Sequence, residues 1–310
     1  MKSRLIHVHE RIKPYIHHTP VMTSTMLNEL TGCELFFKTE NFQRTGSFKM
    51  RGALNAIMQL SDAQRRKGVV THSSGNFAQA LALAANSLGV SAHIVMPENA
   101  PQVKKDAVKG YEGIVIECPP SNEAREAYAQ KLVEEKGLTF IHPSNDIEVI
   151  LGQGTATKEL LEEHPDLDYI FSPVGGGGLV AGTILAAQCV GKNIKVVGCE
   201  PSQVDDAYRS LQAGKIVFHD NQPTIADGLK THLGDVNFPI IKNGIQEIIR
   251  IEEEEIIAAM QLIWERMKLV IEPSAAVAFA GVLKCKDKYQ HKKVGVILSG
   301  GNVELKKLPF

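Results

Sequence analysis

A lysine directly after a glycine–serine turn is the residue of this sequence best placed for covalent chemistry. Ser47 is a favoured N-cap type, and the apolar spacing predicts a helix over residues 48–60 with Lys49 in its first turn. The positive end of the helix dipole disfavours a cation there, which helps the lysine to lose the proton that it must lose before acting as a nucleophile. Taken alone, the pattern favours an ordinary solvated helix lysine, so the interpretation of Lys49 depends on the rest of the chain.

A run of four glycines follows a predicted strand and opens a predicted helix. Gly175, Gly176, Gly177 and Gly178, followed by Leu179, let backbone N–H groups converge at the positive end of that helix, which makes a cradle for an anion. The run is neither GxGxxG nor GxxxxGK[ST], and no acidic residue is suitably placed for a ribose, so a dinucleotide or P-loop site is not indicated. The pattern favours the terminal phosphate of a small cofactor over a simple tight turn.

Two further polar turns lie at the carboxyl ends of predicted strands. Residues 73–76 read Ser-Ser-Gly-Asn and offer hydroxyls, an amide and helix N–H groups to a carboxylate or a phenolic oxygen, although an ordinary helix cap explains them equally well. Residues 299–302 read Ser-Gly-Gly-Asn. In parallel sheets such loops gather at one edge, where ligands bind. Three loops and one lysine therefore predict a single ligand site.

The elements that must position these loops alternate along the chain. Strands are predicted at 34–39, 69–72, 92–96, 114–116, 139–141, 169–172, 194–199 and 294–298. Helices are predicted at the N-terminus to about residue 17, and at 48–60, 77–88, 101–109, 122–136, 147–163, 179–190, 203–213, 252–267 and 273–285. This alternation predicts an α/β fold with parallel-rich sheets wrapped by helices. We predict a small domain over residues 66–145, inserted into a discontinuous large domain of residues 1–65 and 146–310, with the ligand in the cleft between them.

The composition narrows the class of protein. The 310 residues carry a net charge of −1 without a basic stripe, which argues against nucleic-acid binding. No apolar run is long enough to span a membrane and no apolar signal segment follows the charged N-terminus, so we expect no membrane contact. The five cysteines are widely spaced without a CxxC pair, which fits a reducing compartment and predicts a cytoplasmic protein.

Taken together, the motifs resemble those of the fold-type II pyridoxal-phosphate enzymes, which have a tryptophan synthase β-like two-domain fold, and among them the serine racemases and serine/threonine dehydratases. The resemblance runs from about residue 18 to residue 305. Besides the lysine turn and the three glycine-containing turns, it rests on Gly152-Gln153-Gly154-Thr155, Glu200-Pro201-Ser202, Ala226-Asp227-Gly228, Trp264-Glu265-Arg266-Met267-Lys268 and Ile271-Glu272-Pro273.

The resemblance implies roles for individual residues. Lys49 would bind the cofactor covalently and act as the catalytic base, and Ser74 would be a second catalytic group. The implied cofactor-binding residues are Phe48, Lys49, Asn76, Gly175, Gly176, Gly177, Gly178, Leu179, Glu272 and Ser299. The implied substrate-binding residues are Ser73, Ser74, Asn76 and Gln79. Ser299 would face the pyridine nitrogen with a neutral hydroxyl, which suits prompt loss of a leaving group from Cβ better than a long-lived carbanion.

The activity implied by the resemblance is serine racemisation together with dehydration of L-serine or L-threonine to a 2-oxo acid and ammonia. Ser74 would donate a proton on the face of Cα opposite Lys49, where other dehydratases often carry alanine. A dehydratase of serine, threonine or threo-3-hydroxyaspartate that does not racemise is the main alternative. A nicotinamide-dependent oxidoreductase and a non-catalytic ligand-binding protein with the same fold are the others.

The resemblance also implies a divalent-cation site, for Mg²⁺ or Ca²⁺, at Glu200, Asp206 and the carbonyl of Val204. A solvated acidic turn is the alternative for these residues. A homodimer is implied as well, and a nucleotide effector is compatible with the group.

Two positions depart from the pattern of the group. Phe77 stands in place of a histidine, and Ser144 stands in place of the asparagine of close serine racemases, so both bear on substrate preference. The chain ends at Phe310, so we expect no regulatory domain of the kind found in biosynthetic threonine dehydratases.

Overall fold

The computed structural model describes residues 2–190, 193–218 and 223–310, which form two β-sheets surrounded by helices. The strands are β1 (Val21–Met22), β2 (Glu34–Thr39), β3 (Val69–His72), β4 (Ala92–Pro97), β5 (Ile114–Cys118), β6 (Thr139–Phe140), β7 (Tyr169–Pro173), β8 (Lys195–Pro201), β9 (Ile245–Ile251) and β10 (Lys293–Leu298). The helices are α1 (Lys2–Ile12), α2 (Thr25–Thr31), α3 (Lys49–Met58), α4 (Asp62–Lys67), α5 (Asn76–Ser87), α6 (Gln102–Gly110), α7 (Asn122–Lys136), α8 (Ile147–Glu163), α9 (Gly178–Val190), α10 (Asp206–Ala213), α11 (Asn237–Gly244), α12 (Glu253–Leu262) and α13 (Pro273–Lys284).

The two sheets are almost entirely parallel, as buried apolar strands separated by helices predict. The six-stranded sheet has the order β1-β2-β10-β7-β8-β9, and its one antiparallel pair is β1 with β2. The four-stranded sheet is parallel throughout, in the order β5-β4-β3-β6. Its strands lie between residues 69 and 140, and the six-stranded sheet takes strands from both sides of that stretch. The predicted α/β fold with parallel-rich sheets is therefore confirmed.

Helix α8 lies between α3, which begins with Lys49, and α9, which follows the glycine run. Glycines permit this close approach. A Cβ atom at Gly152 would lie 2.5 Å from the carbonyl oxygen of Arg51, and one at Gly154 would lie 2.6 Å from the carbonyl oxygen of Gly182. Larger side chains at these two positions would force α8 away from its neighbours. Residues 152–154 are therefore the part of α8 that lies closest to α3 and α9.

Helix α3 also packs against α5, the helix that follows β3 of the smaller sheet. One apolar cluster contains Met50 and Leu54 of α3 together with Phe77 and Leu81 of α5, all of them buried. Burying such side chains is worth roughly 1.5–3 kcal/mol each. Helix α3 is thereby held between α5, which follows a strand of the smaller sheet, and α8.

Three local sequence predictions are wrong. Ser47 does not cap α3, because the helix begins one residue later with Phe48 at its N-cap, and Ser47 Oγ is buried without a hydrogen-bond partner. The first helix ends at Ile12 rather than near residue 17, because Pro14 lies in a 3₁₀ turn that follows it. The predicted helix over 252–267 is α-helical only to Leu262 and ends as a short π-helix.

Within the described ranges, no helix combines the length and the apolar character needed to cross a lipid bilayer.

Candidate active site

The lysine turn is attached to the turn that follows β10. Ser47 and Gly300 form an isolated antiparallel bridge. The N–H of Phe48 donates a hydrogen bond of 3.1 Å to the carbonyl oxygen of Ser299. Two turns that are about 250 residues apart in the sequence are thus paired like strands, which makes the predicted cofactor-binding residues Phe48 and Ser299 neighbours beside Lys49.

The surroundings of Lys49 suit an amine that must lose its proton. Its Nζ donates to the carbonyl oxygen of Pro143 at 2.9 Å and lies 4.9 Å from the ring centroid of Phe48 and 5.7 Å from that of Phe77. Burial lowers the pKa of Lys49 to about 8, although the nearby carboxylate of Glu272 favours the charged form. Lys49 therefore loses its proton more readily near neutral pH than an exposed lysine does. Phe77, one of the two departures from the resemblance, supplies an aromatic wall to this amine.

The lowered pKa of Lys49 predicts the pH dependence of cofactor capture. An amine attacks an aldehyde only when it is unprotonated. The rate at which full-length apoprotein takes up pyridoxal phosphate should therefore rise with pH, with a midpoint near the Lys49 pKa of about 8. Glu272→Gln removes a charge that favours protonated Lys49, so the midpoint should move to lower pH. Stopped-flow absorbance measures this, with the exposed Glu135→Gln as control. A midpoint that stays in place in Glu272→Gln would contradict the electrostatic role of Glu272.

Asn76 connects the turn after β3 to the rest of the site. Its Nδ2 donates to both carboxylate oxygens of Glu272, at 2.8 and 3.1 Å, and its Oδ1 accepts from Asn302 Nδ2 at 2.9 Å. Burial raises the pKa of Glu272 to about 7, and the hydrogen bond from Asn76 opposes this rise. The predicted substrate-binding residues in the same region are partly buried at the start of α5: Ser73, Ser74, Asn76 and Gln79.

The glycine run forms a cradle that has no room for side chains. Gly177 has a φ of +78°, and a Cβ atom on it would lie 2.6 Å from Leu233 Cδ2. A Cβ atom on Gly176 would lie 2.5 Å from Ser144 Oγ. The first N–H groups of α9 have no acceptor within the helix and carry its positive end. Residues 175–179 therefore fit the phosphate of pyridoxal phosphate, just as Lys49 fits its aldehyde.

The turn after β6 contributes to the site, and of this turn the sequence drew attention only to Ser144. The Nδ1 of His142 accepts the backbone N–H groups of Ser144, at 3.1 Å, and Asn145, at 2.8 Å. Burial, together with the positive charges of His72 and Lys49, lowers the pKa of His142 to about 4. A neutral imidazole thus holds the turn that presents the carbonyl of Pro143 to Lys49. The available sequence signal was a His-Pro pair directly after a strand.

Asn237, the first residue of α11, joins that turn to the glycine run, and no sequence pattern indicated this role. Its Nδ2 donates to the carbonyl oxygens of Ser144, at 3.2 Å, and Gly176, at 2.8 Å. Its Oδ1 accepts the N–H of Gly234 at 3.0 Å. The fully buried amide of Asn237 thus holds the backbone of the glycine run in place.

The residues proposed to bind a cation form a separate acidic cluster at the end of β8. The carboxylate of Glu200 accepts the N–H groups of Ala207 and Tyr208, each at 2.9 Å, at the start of α10. Glu200 and Asp206 are fully buried and Val204 is buried beside them. Burial, reinforced by the charge of Asp206, raises the pKa of Glu200 well above its usual range, and burial raises that of Asp206 to about 7. No group of three or more His, Cys, Asp or Glu side chains in the described residues is arranged to hold a metal.

Comparison with known proteins agrees with this geometry. A family model described as pyridoxal-phosphate dependent enzyme matches residues 12–300. The chain is 51% identical to a serine racemase of Dictyostelium discoideum over 97% of this chain and 94% of that protein. It is 49% identical to a beta-hydroxyaspartate dehydratase of Paracoccus denitrificans over 99% of this chain and 97% of that protein.

Solved structures give the same result. The crystal structure of the serine racemase from Dictyostelium discoideum superimposes with a TM-score of 0.94, covering 98% of this chain and 99% of that one at 50% identity. A family match over most of the chain, high identity and a shared fold leave the nicotinamide alternative without support. The chain belongs to the family of pyridoxal-phosphate dependent enzymes.

Proposed function

We propose that this enzyme racemises serine and also dehydrates L-serine and L-threonine to 2-oxo acids and ammonia. One observation carries the proposal. The carboxylate of Glu272 interacts both with Lys49, whose pKa is lowered, and with Asn76 in the turn after β3. The high identity to a serine racemase over almost the full length supports the choice of substrate.

Individual residues of the chain have separate roles in the proposed reaction. Bound pyridoxal phosphate supplies an electron-withdrawing ring that weakens the bonds to the substrate Cα. Residues 175–179 hold an anion at the positive end of α9. Lys49 would act as the general base that takes the Cα proton on its own face. Ser299, 3% exposed directly after β10, would offer a neutral hydroxyl to the ring nitrogen of the cofactor, and Phe48 would supply an apolar contact to the ring.

Ser74 is the proposed proton donor on the opposite face of Cα. Ser74→Ala should reduce D-serine formation by at least about 10²-fold while pyruvate formation from L-serine continues, because elimination needs only the base on the Lys49 side. Both products are measured by chromatography of one reaction. Ser73→Ala is the matched control, since loss of a substrate contact lowers both products together. Equal loss of both products in Ser74→Ala would contradict the two-sided arrangement.

A dehydratase for 3-hydroxyaspartate is the second candidate, because relatives that are 49% and 48% identical carry the names beta-hydroxyaspartate dehydratase and L-threo-3-hydroxyaspartate ammonia-lyase. The values of kcat/KM for L-serine, L-threonine and L-threo-3-hydroxyaspartate, measured side by side, discriminate between the two. A preference of more than about tenfold for hydroxyaspartate, which corresponds to about 1.4 kcal/mol of differential transition-state binding, would favour the second candidate.

We also propose that Mg²⁺ or Ca²⁺ binds at Glu200, Asp206 and the carbonyl of Val204. Two buried carboxylates with raised pKa values support this, because a divalent cation would stabilise the charge that burial disfavours. Thermal melting before and after chelation tests the site. A melting temperature unchanged by chelator and by added Mg²⁺ or Ca²⁺ would argue against it.

We also propose a cytoplasmic homodimer that responds to a nucleotide effector, and a small domain of residues 66–145 inserted into a large domain of residues 1–65 and 146–310. The separate sheets support the domain division. Sedimentation equilibrium with and without ATP tests the assembly, and limited proteolysis at the two proposed boundaries tests the domains.

A further inference from the structure

Gln153 is a fully buried polar residue with no role in the mechanism described so far. It lies on α8 between the two glycines that allow this helix to approach α3 on one side and α9 on the other. The backbone packing therefore leaves Gln153 little freedom, and it lies between the lysine helix and the helix that begins at the glycine run.

The two ends of the Gln153 amide meet different parts of the site. Its Nε2 donates to the carbonyl oxygen of Pro143 at 3.4 Å, and Lys49 Nζ donates to the same oxygen at 2.9 Å. Its Oε1 is buried without a hydrogen-bond partner and would lie 2.7 Å from a Cβ atom on Gly178. The oxygen thus faces the positive end of α9, which orients the amide even without a direct bond.

A buried acceptor without a partner costs about 1–3 kcal/mol, so an ordinary packing role would be filled better by an apolar side chain. The amide instead places its partly positive N–H group on the same carbonyl oxygen that accepts from Lys49, and this second hydrogen bond weakens the oxygen as an acceptor for the amine. This effect disfavours the protonated form of Lys49.

We propose that Gln153 is a positioning residue for Lys49, which holds the carbonyl of Pro143 as the resting acceptor of the amine and keeps that amine in its unprotonated, reactive form. The titratable groups that face Lys49 are Glu272, before α13, and His142, after β6. Neither is altered by a change at Gln153, so a change in the titration of Lys49 can be assigned to the amide.

The test compares Gln153→Met and Gln153→Glu with the native protein. Full-length apoprotein is mixed with pyridoxal phosphate over a range of pH, and the midpoint of the capture rate reports the protonation of Lys49. Met removes the amide, so the midpoint should rise by a few tenths of a pH unit. Glu has the same shape and places a carboxylate near the amine, so the midpoint should rise by about 1 pH unit or more.

A matched control separates this role from simple stability. Thr157, also buried on α8, forms a hydrogen bond of 3.0 Å to Thr183 of α9, away from Lys49. Thr157→Val should lower the melting temperature and leave the capture midpoint in place. If Gln153→Met and Gln153→Glu lower the melting temperature but leave the capture midpoint at the native value, the positioning role is refuted. If Gln153→Met does not fold, the capture midpoint of the isosteric Gln153→Glu variant alone decides the test.

The inference rests on the proposed function only in treating Lys49 as the reactive amine. The capture experiment contains no amino-acid substrate, so its outcome does not depend on which reaction the enzyme catalyses. The acid limb of kcat in the loaded enzyme should move in the same direction as the capture midpoint, and a limb that moves the opposite way would also count against the positioning role.

Discussion

Lys49→Ala is expected to abolish both proposed reactions while leaving the cofactor bound without a covalent bond. Loss of the general base alone reduces a rate by about 10²–10⁴-fold, and loss of the amine that exchanges with substrate adds to this. The glycine run does not involve the Lys49 side chain, so the cofactor should remain bound and absorb as the free aldehyde rather than as the imine. Borohydride reduction followed by mass spectrometry should attach the cofactor to the native chain and not to the variant.

Lys49→Arg is the matched control for charge. It keeps a cation next to Glu272 but cannot lose its proton, so it should be as inactive as Lys49→Ala. Activity of Lys49→Arg above a hundredth of the native value, or borohydride attachment of the cofactor to Lys49→Ala, would contradict the assignment of Lys49 as the reactive amine.

Glu159→Gln is expected to cause the largest loss of stability among conservative single changes near the site. Arg51 is fully buried two residues after Lys49 and donates to Glu159 at 2.7 and 2.8 Å and to Glu40 at 2.7 and 2.8 Å. Lys38, also fully buried, forms a 2.8 Å ion pair with Glu159. Two cations and two carboxylates thus neutralise one another behind the lysine helix.

The carboxylate of Glu159 cannot be neutralised without leaving a buried positive charge. Burial opposes its ionisation, but hydrogen bonds from His9 and Arg51 outweigh this and hold the pKa of Glu159 well below its usual range. Removing one partner of a buried ion pair costs about 3–5 kcal/mol, and we expect Glu159→Gln to lower the free energy of unfolding by about that amount. Urea denaturation of the full-length protein measures it.

The control for this prediction lies on the same helix. Glu162 pairs with Lys158 at 2.6 Å but is 56% exposed, so Glu162→Gln should cost less than about 1 kcal/mol. Similar losses in Glu159→Gln and Glu162→Gln would show that the buried cluster does not stabilise the start of α3.

Much of the fold could be predicted because its strands are continuous apolar runs and its helices end at glycine or begin after polar residues. Helices α2 and α4 were missed although each begins after a serine and ends at a glycine, because both are short. Two strands were missed because they lack a continuous apolar run. β1 has only two residues, and β9 mixes buried and exposed side chains at the edge of its sheet. Helix α11 was missed for a different reason, because Pro239 lies inside its first turn and reads as a break in the sequence.

The candidate site was predictable where side chains carry the chemistry and not where the backbone does. Lys49 and the glycine run stand out by residue type and spacing. The acceptor of the lysine amine is a carbonyl oxygen, that of Pro143, and any residue could supply it. Ser47 shows the reverse case: a good capping residue lies at the predicted place, but its backbone is engaged in the bridge to Gly300 instead.

The measurement that tests the central claim most directly is incubation of the purified, cofactor-loaded enzyme with L-serine and Mg²⁺, with D-serine and pyruvate assayed in the same tube. The proposed function predicts that both products form and that both disappear in Lys49→Ala. Pyruvate without D-serine would contradict the racemase assignment and leave a dehydratase. Neither product, from protein that still holds its cofactor, would contradict serine as the substrate.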